Sequence, residues 1–362
     1  MLAVLKSERL LLAAFLAAGA GFVLEHHLLE MGQAASLAGA AALVAAIVLA
    51  SMRVAHHAEV LAAKVGDPYG TMILTLSAVL VEVIILAIMM MGESSPTLVR
   101  DTIYSAVMLD INGILGLAAL LGGLKHGEQP YNDNSARTYS VMILTAMGIS
   151  MVVPEFVPAA KWHFYSAFTI GAMIMLYTLF LRMQVGPHSY FFSYSYPRVK
   201  SDGVDTAEES GEPVLPSIVI LLIGVVVIGA LAEIMSGLLT SGLKGTGAPP
   251  AIAAIVVAAI SASPEIMTAM RAALANRMQA VVNIALGASL STVILTVPVM
   301  EAIALYTGQP FLMAMSPVQT VMVAITLIVA AINLNDGQTN AIEGMTHFVL
   351  FATFVMLSAI GL

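Results

Sequence analysis

The sequence predicts an all-α integral membrane protein of about 11 transmembrane helices, with two inverted five-helix repeats and an extra N-terminal helix. Three observations support this fold class: the composition, the distribution of Lys and Arg, and two matching acidic segments. Hydrophobic residues make up 59% of the 362 residues and charged residues only 10%, and the mean hydropathy is +0.95. Soluble domains carry about 25% charged residues, so the composition is that of a membrane protein.

The same composition excludes several classes of function. The net charge of −8 argues against a nucleic-acid partner. The absence of cysteine excludes disulfides and thiolate metal sites. The sequence contains no GxxxxGK[ST] motif, so ATP-driven pumping by this chain is not expected. We therefore expect no cofactor and no nucleic-acid partner, and the composition makes the lipid bilayer a partner of the chain.

Apolar runs define the individual spans, since a helix needs about 20 apolar residues to cross a bilayer. The predicted spans lie at about 9–24, 34–52, 69–92, 102–123, 138–157, 163–182, 215–240, 249–271, 280–303, 317–332 and 343–361. The first is interpreted as a retained helix, because no clean cleavage site follows its apolar core. An acidic linker, 183–214, separates the first repeat, 34–182, from the second, 215–362, and residues 1–33 form the extra helix.

The positions of Lys and Arg test this topology, because cytoplasmic loops are enriched in both. The predicted inside loops and ends hold eleven of the 14 basic residues. The outside holds the other three, which are Arg100, Lys161 and Lys244. This split supports eleven spans and predicts a cytoplasmic N-terminus and an outside C-terminus.

One glutamate lies inside a span of each half. Glu82 is in the third span and Glu265 is in the eighth, and an offset of five spans reverses the direction of the chain. Inverted repeats with a binding site near the midplane are a common transporter plan. Intramembrane carboxylates are costly and functional by default, so both glutamates are candidate cation and proton ligands.

The backbone next to Glu265 is expected to be broken. Pro264 has no N–H, so the helix loses one backbone hydrogen bond and the carbonyl of Ile260 is freed. Ser261 adds a hydroxyl oxygen beside the predicted break. A discontinuous helix beside a carboxylate is typical of transporter ion sites.

A second polar helix follows each glutamate and supplies further oxygen atoms. Carboxylate, amide and hydroxyl oxygens are hard ligands, and Ca²⁺ takes about 6–8 of them. A buried carboxylate also binds protons, so cation and proton compete and alternating access gives antiport. Na⁺ or K⁺ exchange through the same site is the alternative. The candidate ligands on these helices are Asp110, Asn112, Asn283, Ser289, Ser291 and Thr292.

Three further acidic residues, Glu155, Glu233 and Glu301, lie nearer the span ends and are candidate proton relays. An intramembrane hydrolase is a remote alternative. The sequence contains neither HExxH nor a GxGD-type aspartate, and we expect a transporter rather than an enzyme.

Two stretches resemble the calcium/cation antiporter superfamily, and within it the bacterial Cha-type calcium or sodium/proton antiporters. "SASPEIMTAMRAALANRMQAVVNIALGASLSTVILTVP" is similar to the second α-repeat, with Glu265 on the motif glutamate and Asn276-Arg277 on the turn. "HHAEVLAAKVGDPYGTMILTLSAVLVEVIILAIMM" is similar to the first, with Glu82 on the essential acid. The resemblance implies that both glutamates bind cation and proton alternately. The Gly-Asn pair of the family motif is replaced by Ala78-Val79 and Ser261-Ala262, which leaves a monovalent cation as the second choice.

Overall fold

The computed structural model describes residues 8–65, 69–92, 95–186, 189–192, 214–249, 251–309 and 311–362. The helices, in chain order, are α1 (Arg9–Glu30), α2 (Gln33–Val65), α3 (Tyr69–Gly92), α4 (Leu98–Met108), α5 (Gly116–His126), α6 (Asp133–Met147), α7 (Trp162–Val185), α8 (Val214–Leu243), α9 (Ala251–Ser261), α10 (Ser263–Leu274), α11 (Met278–Ser291), α12 (Val297–Thr307), α13 (Pro317–Asn333) and α14 (Ala341–Ala359).

Several helices contain or adjoin turns with π-helical or 3₁₀ hydrogen bonding. π-Helical turns join α4 to α5 at Leu109–Leu115, follow α6 at Gly148–Val152 and join α11 to α12 at Thr292–Thr296. Short 3₁₀ turns lie at Val153–Phe156, Ala159–Lys161 and Ser189–Phe192. π-Helical turns inside α-helices are frequent at functional sites.

Each of the eleven predicted spans falls on one or more of these helices. Among the described residues, eight helical runs are long and apolar enough to cross a membrane, or nine if the bent pair α9 and α10 is one span. Two apolar stretches are shorter, Leu76–Met91 and Pro317–Asn333. The all-α membrane class is therefore confirmed, while the count of about 11 spans stays a prediction.

The chain forms two compact units, and each takes residues from both sides of the acidic linker. The first unit comprises Met1–Ser95 and Thr206–Pro264, and the second comprises Pro96–Asp205 and Glu265–Leu362. Most of the linker, residues 193–213, lies outside the described ranges. The two predicted repeats divide the sequence at the linker, whereas these units divide the chain by its contacts in space. The repeats therefore stay a prediction.

The core of the first unit is the packing of α2 against α8. Glycine permits the close approach of these two helices. A Cβ atom on Gly224 would lie 2.6 Å from Val54 Cγ2, and one on Gly242 would lie 2.7 Å from Leu37 Cδ2. Small residues at helix contacts are the usual means of tight packing in a membrane, where lipid is as apolar as Leu.

The core of the second unit is formed by the runs Leu98–His126 and Met278–Thr307, the two most deeply buried of the eight candidate spans. These are the two polar helices that follow Glu82 and Glu265 in the sequence. Both contain a π-helical turn close to their candidate ligands. Hydroxyls and amides at these positions are thus enclosed by protein rather than by lipid, as buried polar groups require.

Two loops of the second unit meet in a small antiparallel pairing of β1 (Gln129–Pro130) with β2 (Gln338–Thr339). The predicted topology puts both loops on the inside, which agrees with their pairing. This two-residue ladder is the only sheet within the described ranges. At the turn after α10, Asn276 has φ of +57°, which is the left-handed conformation that Asn tolerates. Its Oδ1 accepts a hydrogen bond from Gln129 Nε2 at 3.0 Å.

Candidate cation site

Glu82 lies beyond the middle of α3 in the first unit. It is thirteen residues after Tyr69, where the helix begins, or about 20 Å along the axis. The residue is only 6% exposed, and α3 is unbroken through this position. The apolar composition of α3 favours a long continuous helix, so Glu82 is buried beside a regular backbone and not beside a helix break.

The predicted break beside Glu265 is present. α9 ends at Ser261 and α10 begins at Ser263. Pro264 has no N–H to donate to the Ile260 carbonyl, and Ser263 Oγ donates to that oxygen instead at 2.7 Å. Ser261 Oγ donates to the Val257 carbonyl at 3.1 Å. The freed carbonyl predicted from the sequence is thus satisfied by a neighbouring hydroxyl.

Glu265 itself lies in the first turn of α10 and is half-buried. The N-terminus of a helix carries a partial positive charge, which favours an acidic side chain in its first turn. Glu82 belongs to the first unit and Glu265 to the second, so the convergence of the two carboxylates on one cation stays a prediction.

Asp110 is the best-placed further carboxylate in the second unit. It lies in the π-helical turn Leu109–Leu115 and is 2% exposed. Ser289 of α11 donates its hydroxyl to Asp110 Oδ2 at 3.2 Å. The structure therefore joins two candidate ligands that are 179 residues apart in the sequence. A carboxylate beside a hydroxyl offers hard oxygen atoms to a cation.

Asn112, two residues later, is turned towards other helices. Its Nδ2 donates to Thr326 Oγ1 of α13 at 2.7 Å. Its Oδ1 lies 2.9 Å from His347 Nδ1 of α14. Sequence reasoning missed both Thr326 and His347. The sequence did offer a reason to consider His347, because a histidine within an apolar span needs a polar partner.

The remaining candidates on α11 and its π-helical turn differ in position. Ser291 donates to the Gly287 carbonyl of its own helix at 2.7 Å, and Thr292 begins the π-helical turn Thr292–Thr296. Asn283 donates to the Phe192 carbonyl at 2.9 Å and accepts from Gln279 at 2.8 Å. Asn283 precedes Ser289 by six residues, or about 9 Å along the helix. Its amide nitrogen and oxygen both form hydrogen bonds with protein groups.

The three candidate proton relays differ in burial. Glu301 is 2% exposed, and its Oε1 accepts from Ser166 Oγ at 3.4 Å. Glu155 and Glu233 are exposed. Glu233 lines a cavity of 380 Å³ in the first unit with Ser236, Thr240 and Lys244. Within the described ranges, no group of three or more His, Cys, Asp or Glu side chains is placed to hold a metal ion.

The sequence profile of a family described as sodium/calcium exchanger protein matches residues 35–186 and 216–360, on both sides of the linker. The chain belongs to the sodium/calcium exchanger protein family. The sodium-potassium/proton antiporter ChaA of Escherichia coli (strain K12) is 33% identical over 316 residues, which cover 86% of each chain. The Ca²⁺/H⁺ antiporter ChaA of Bacillus subtilis (strain 168) is 26% identical over 286 residues, covering 77% of this chain and 78% of that protein.

Among solved structures, native YfkE has the same fold, with a TM-score of 0.74 at 19% identity, covering 96% of this chain and 99% of that one. These matches confirm the resemblance to the calcium/cation antiporter superfamily and its Cha-type branch. The protein is therefore a multi-pass membrane antiporter and not an enzyme, and the alternative of an intramembrane hydrolase is wrong.

Proposed function

We propose that this protein is a secondary active antiporter that exchanges a cation, with Ca²⁺ as first choice, for protons, and that Glu82 and Glu265 bind the two alternately. The observation that carries the proposal is the two-part family match. Its first part, residues 35–186, contains Glu82, and its second part, residues 216–360, contains Glu265. Each half thus supplies one intramembrane glutamate, as expected for a transporter built from inverted repeats.

The chemistry follows from the cost of a charge in a protein interior. A buried carboxylate is stabilised either by a bound cation or by a proton, because the bare anion is poorly solvated. Occupancy by one therefore excludes the other. If the empty ionised site does not cross the membrane, cation movement in one direction requires proton movement in the other. Asp110 and Ser289 are proposed to add oxygen ligands in the second unit.

Ca²⁺ is the first choice because several uncharged oxygen donors accompany the carboxylates, and Ca²⁺ takes more oxygen ligands than a single carboxylate pair supplies. Na⁺ or K⁺ exchange is the second candidate. It is favoured by the 33% identity to the sodium-potassium/proton antiporter of E. coli, compared with 26% to the Ca²⁺/H⁺ antiporter of B. subtilis.

A single flux experiment distinguishes the two candidate cation classes, Ca²⁺ and Na⁺ or K⁺. The purified protein is reconstituted in liposomes that contain a pH-sensitive dye, and CaCl₂, NaCl or KCl is added separately at matched ionic strength. We expect Ca²⁺ to drive proton efflux. Flux driven by Na⁺ or K⁺ without any response to Ca²⁺ would replace the first candidate by the second.

Two variants test the glutamates. Glu82→Gln and Glu265→Gln retain the size of the side chain and remove its charge. Each is expected to reduce exchange by about 100-fold or more, because loss of a ligand should cost at least as much as loss of a residue that only orients one. Glu128→Gln, in an exposed loop, is the matched control and is expected to transport at the wild-type rate. Wild-type flux in either intramembrane variant would contradict the proposal.

The proposal includes placement in the bacterial inner membrane with the N-terminus inside. It is supported by the split of eleven to three in the basic residues. Since the chain has no native cysteine, labelling of a cysteine introduced at Lys125 checks it. A reagent that cannot cross the membrane should reach this position only from the inside.

A further inference from the structure

The amide of Asn112 has a defined orientation in the second unit. Thr326 Oγ1 lies 3.6 Å from the sulfur of Met108, to which it donates its proton. The Thr326 oxygen can then accept from Asn112 Nδ2, which lies 2.7 Å away. Asn112 Oδ1 therefore faces His347 Nδ1 at 2.9 Å, and that nitrogen must carry a hydrogen in order to donate.

In this arrangement the Nδ1 hydrogen is the donor that His347 provides to Asn112. The residue is 3% exposed, and within the described ranges its Nε2 is buried without a hydrogen-bond partner. A second hydrogen on Nε2 would be an unsatisfied donor in an apolar surrounding, which is costly. The side chain thus offers one donor, and Asn112 receives it.

Glycines bring His347 to this position. α14 lies against α5 with almost no side chains between the backbones. A Cβ atom on Gly116 would lie 2.8 Å from His347 Cβ, and one on Gly344 would lie 2.2 Å from the Leu120 nitrogen. No other residue type fits at either position without moving a helix. This contact fixes the backbone of α14 beside the π-helical turn Leu109–Leu115.

That turn has two polar side chains with different partners. Asp110 accepts from Ser289 of α11, whereas Asn112 is held by α13 and α14. Both residues are fully enclosed. The two residues therefore point to different sides of one turn, and the hydrogen bonds of Asn112 resist rotation of the turn that presents Asp110.

We propose that His347 is a positioning residue for the cation site: through Asn112 it fixes the π-helical turn that presents Asp110, and Asn112 acts as an anchor and not as a cation ligand. This inference rests on the proposed function, because it assigns Asp110 to the cation. It goes beyond that function in giving roles to His347 and Thr326, whose hydrogen bonds to Asn112 were not expected from the sequence.

The test is the dependence of proton flux on cation concentration in liposomes. His347→Leu removes the donor, and the cation concentration for half-maximal exchange is expected to rise about tenfold or more, as for partners that orient metal ligands. The maximal rate should change by less than about twofold, since the chemistry of the carboxylates is unaltered. His347→Asn places an amide N–H near the Nδ1 position and should stay within about threefold of wild type.

Thr326→Val provides a second variant, which retains the side-chain shape and removes the acceptor for Asn112; it should act in the same direction as His347→Leu even if the latter fails to fold. Thr353→Val is the matched control. Thr353 is half-buried on α14, the helix of His347, and its hydroxyl donates to the Val349 carbonyl of that helix, so no effect is expected.

Unchanged half-saturation in both His347→Leu and Thr326→Val would overturn the inference while leaving the proposed function intact. Equal losses in His347→Leu and His347→Asn would also overturn it, because the donor would then be irrelevant. A wild-type protein without any cation-driven flux would instead refute the proposed function and the inference with it.

Discussion

Glu82 and Glu265 are predicted to hold corresponding positions in the two halves of the sequence, yet the helices that carry them are built differently. Glu82 is enclosed within the continuous helix α3. Glu265 is half-buried in the first turn of α10, directly after a break. The difference arises from one residue, since Pro264 precedes Glu265 while Val81, an ordinary helix residue, precedes Glu82.

This comparison shows that the two candidate glutamates are carried by different backbones. In the second half, the break puts a helix N-terminus beside the acid and leaves one carbonyl for the Ser263 hydroxyl. In the first half, α3 forms regular backbone hydrogen bonds through the acid, so it has no broken backbone to contribute. We therefore expect the two halves to respond unequally when the backbone beside the acid is changed.

The largest effect is expected from Pro264→Ala. Alanine restores the N–H that can pair with the Ile260 carbonyl, so α9 and α10 can join as one helix, like α3. Proline costs a helix interior about 3 kcal/mol relative to alanine, so the free energy of unfolding should rise by up to that amount. Transport should fall about tenfold, because the first turn that presents Glu265 is lost. Thermal unfolding and liposome flux measure the two effects.

Pro317→Ala is the control for this substitution. Pro317 is the first residue of α13, where a proline removes no helical hydrogen bond. Its replacement should change stability by less than about 1 kcal/mol and leave transport unaltered. If Pro264→Ala behaved in the same way as Pro317→Ala, the break would have no role and the comparison between the halves would lose its basis.

A smaller effect is expected from Ser263→Ala. This substitution leaves the Ile260 carbonyl without both the N–H of a continuous helix and the hydroxyl that replaces it. The loss should be about 1 kcal/mol in the free energy of unfolding. Ser261→Ala is the matched comparison, because the Val257 carbonyl lies within α9 and keeps its helical hydrogen bond; its cost should be below about 0.5 kcal/mol. Equal costs in the two variants would argue against a freed carbonyl at the break.

The smallest effect concerns Glu8, a carboxylate of the first unit whose countercharge is known. Its oxygens accept from Arg53 Nε at 3.0 Å and from Arg53 Nη2 at 2.5 Å, and His57 Nε2 lies 3.3 Å away. Burial alone would raise the Glu8 pKa, but the hydrogen bonds and charge of Arg53, aided by His57, lower it below its usual value of 4.5.

Because the folded pKa of Glu8 is depressed, its contribution to stability is present above about pH 4.5 and is lost as the pH falls through the folded pKa. The difference in unfolding temperature between wild type and Glu8→Gln should therefore be larger at pH 7 than at pH 3. A difference independent of pH would show that Glu8 acts through packing alone. Glu8 is thus a reference for the other two acids. Its charge is balanced by the permanently bound Arg53, whereas Glu82 and Glu265 are proposed to bind a cation that exchanges.

Much of the fold follows from hydropathy. The predicted span 69–92 falls on the helix Tyr69–Gly92, as its apolar composition requires. α2 extends to Val65, well beyond the predicted end at residue 52. Hydropathy misses this extension because Arg53, His56 and His57 continue the helix beyond its apolar run, with Arg53 paired to Glu8.

The site was predicted less completely. The break at Pro264 followed from the chemistry of proline and is present. The pairing of Asp110 with Ser289 needed two helices 179 residues apart to meet, and no local pattern gives that contact. The π-helical turns and the partners of Asn112 were missed, because an extra residue in a helical turn leaves no trace in hydropathy.

The sequence by itself determined the membrane class, most helix positions and the family, and it identified Glu82 and Glu265 as candidate ligands, since all of these depend on residue type and spacing along the chain. Only the tertiary structure decided which polar side chains share a partner. It joined Asp110 to Ser289 and bound Asn112 to Thr326 and His347, because glycine contacts between helices set distances that no residue specifies alone. A buried polar group must find its partner in space, and helices distant in the sequence provided it.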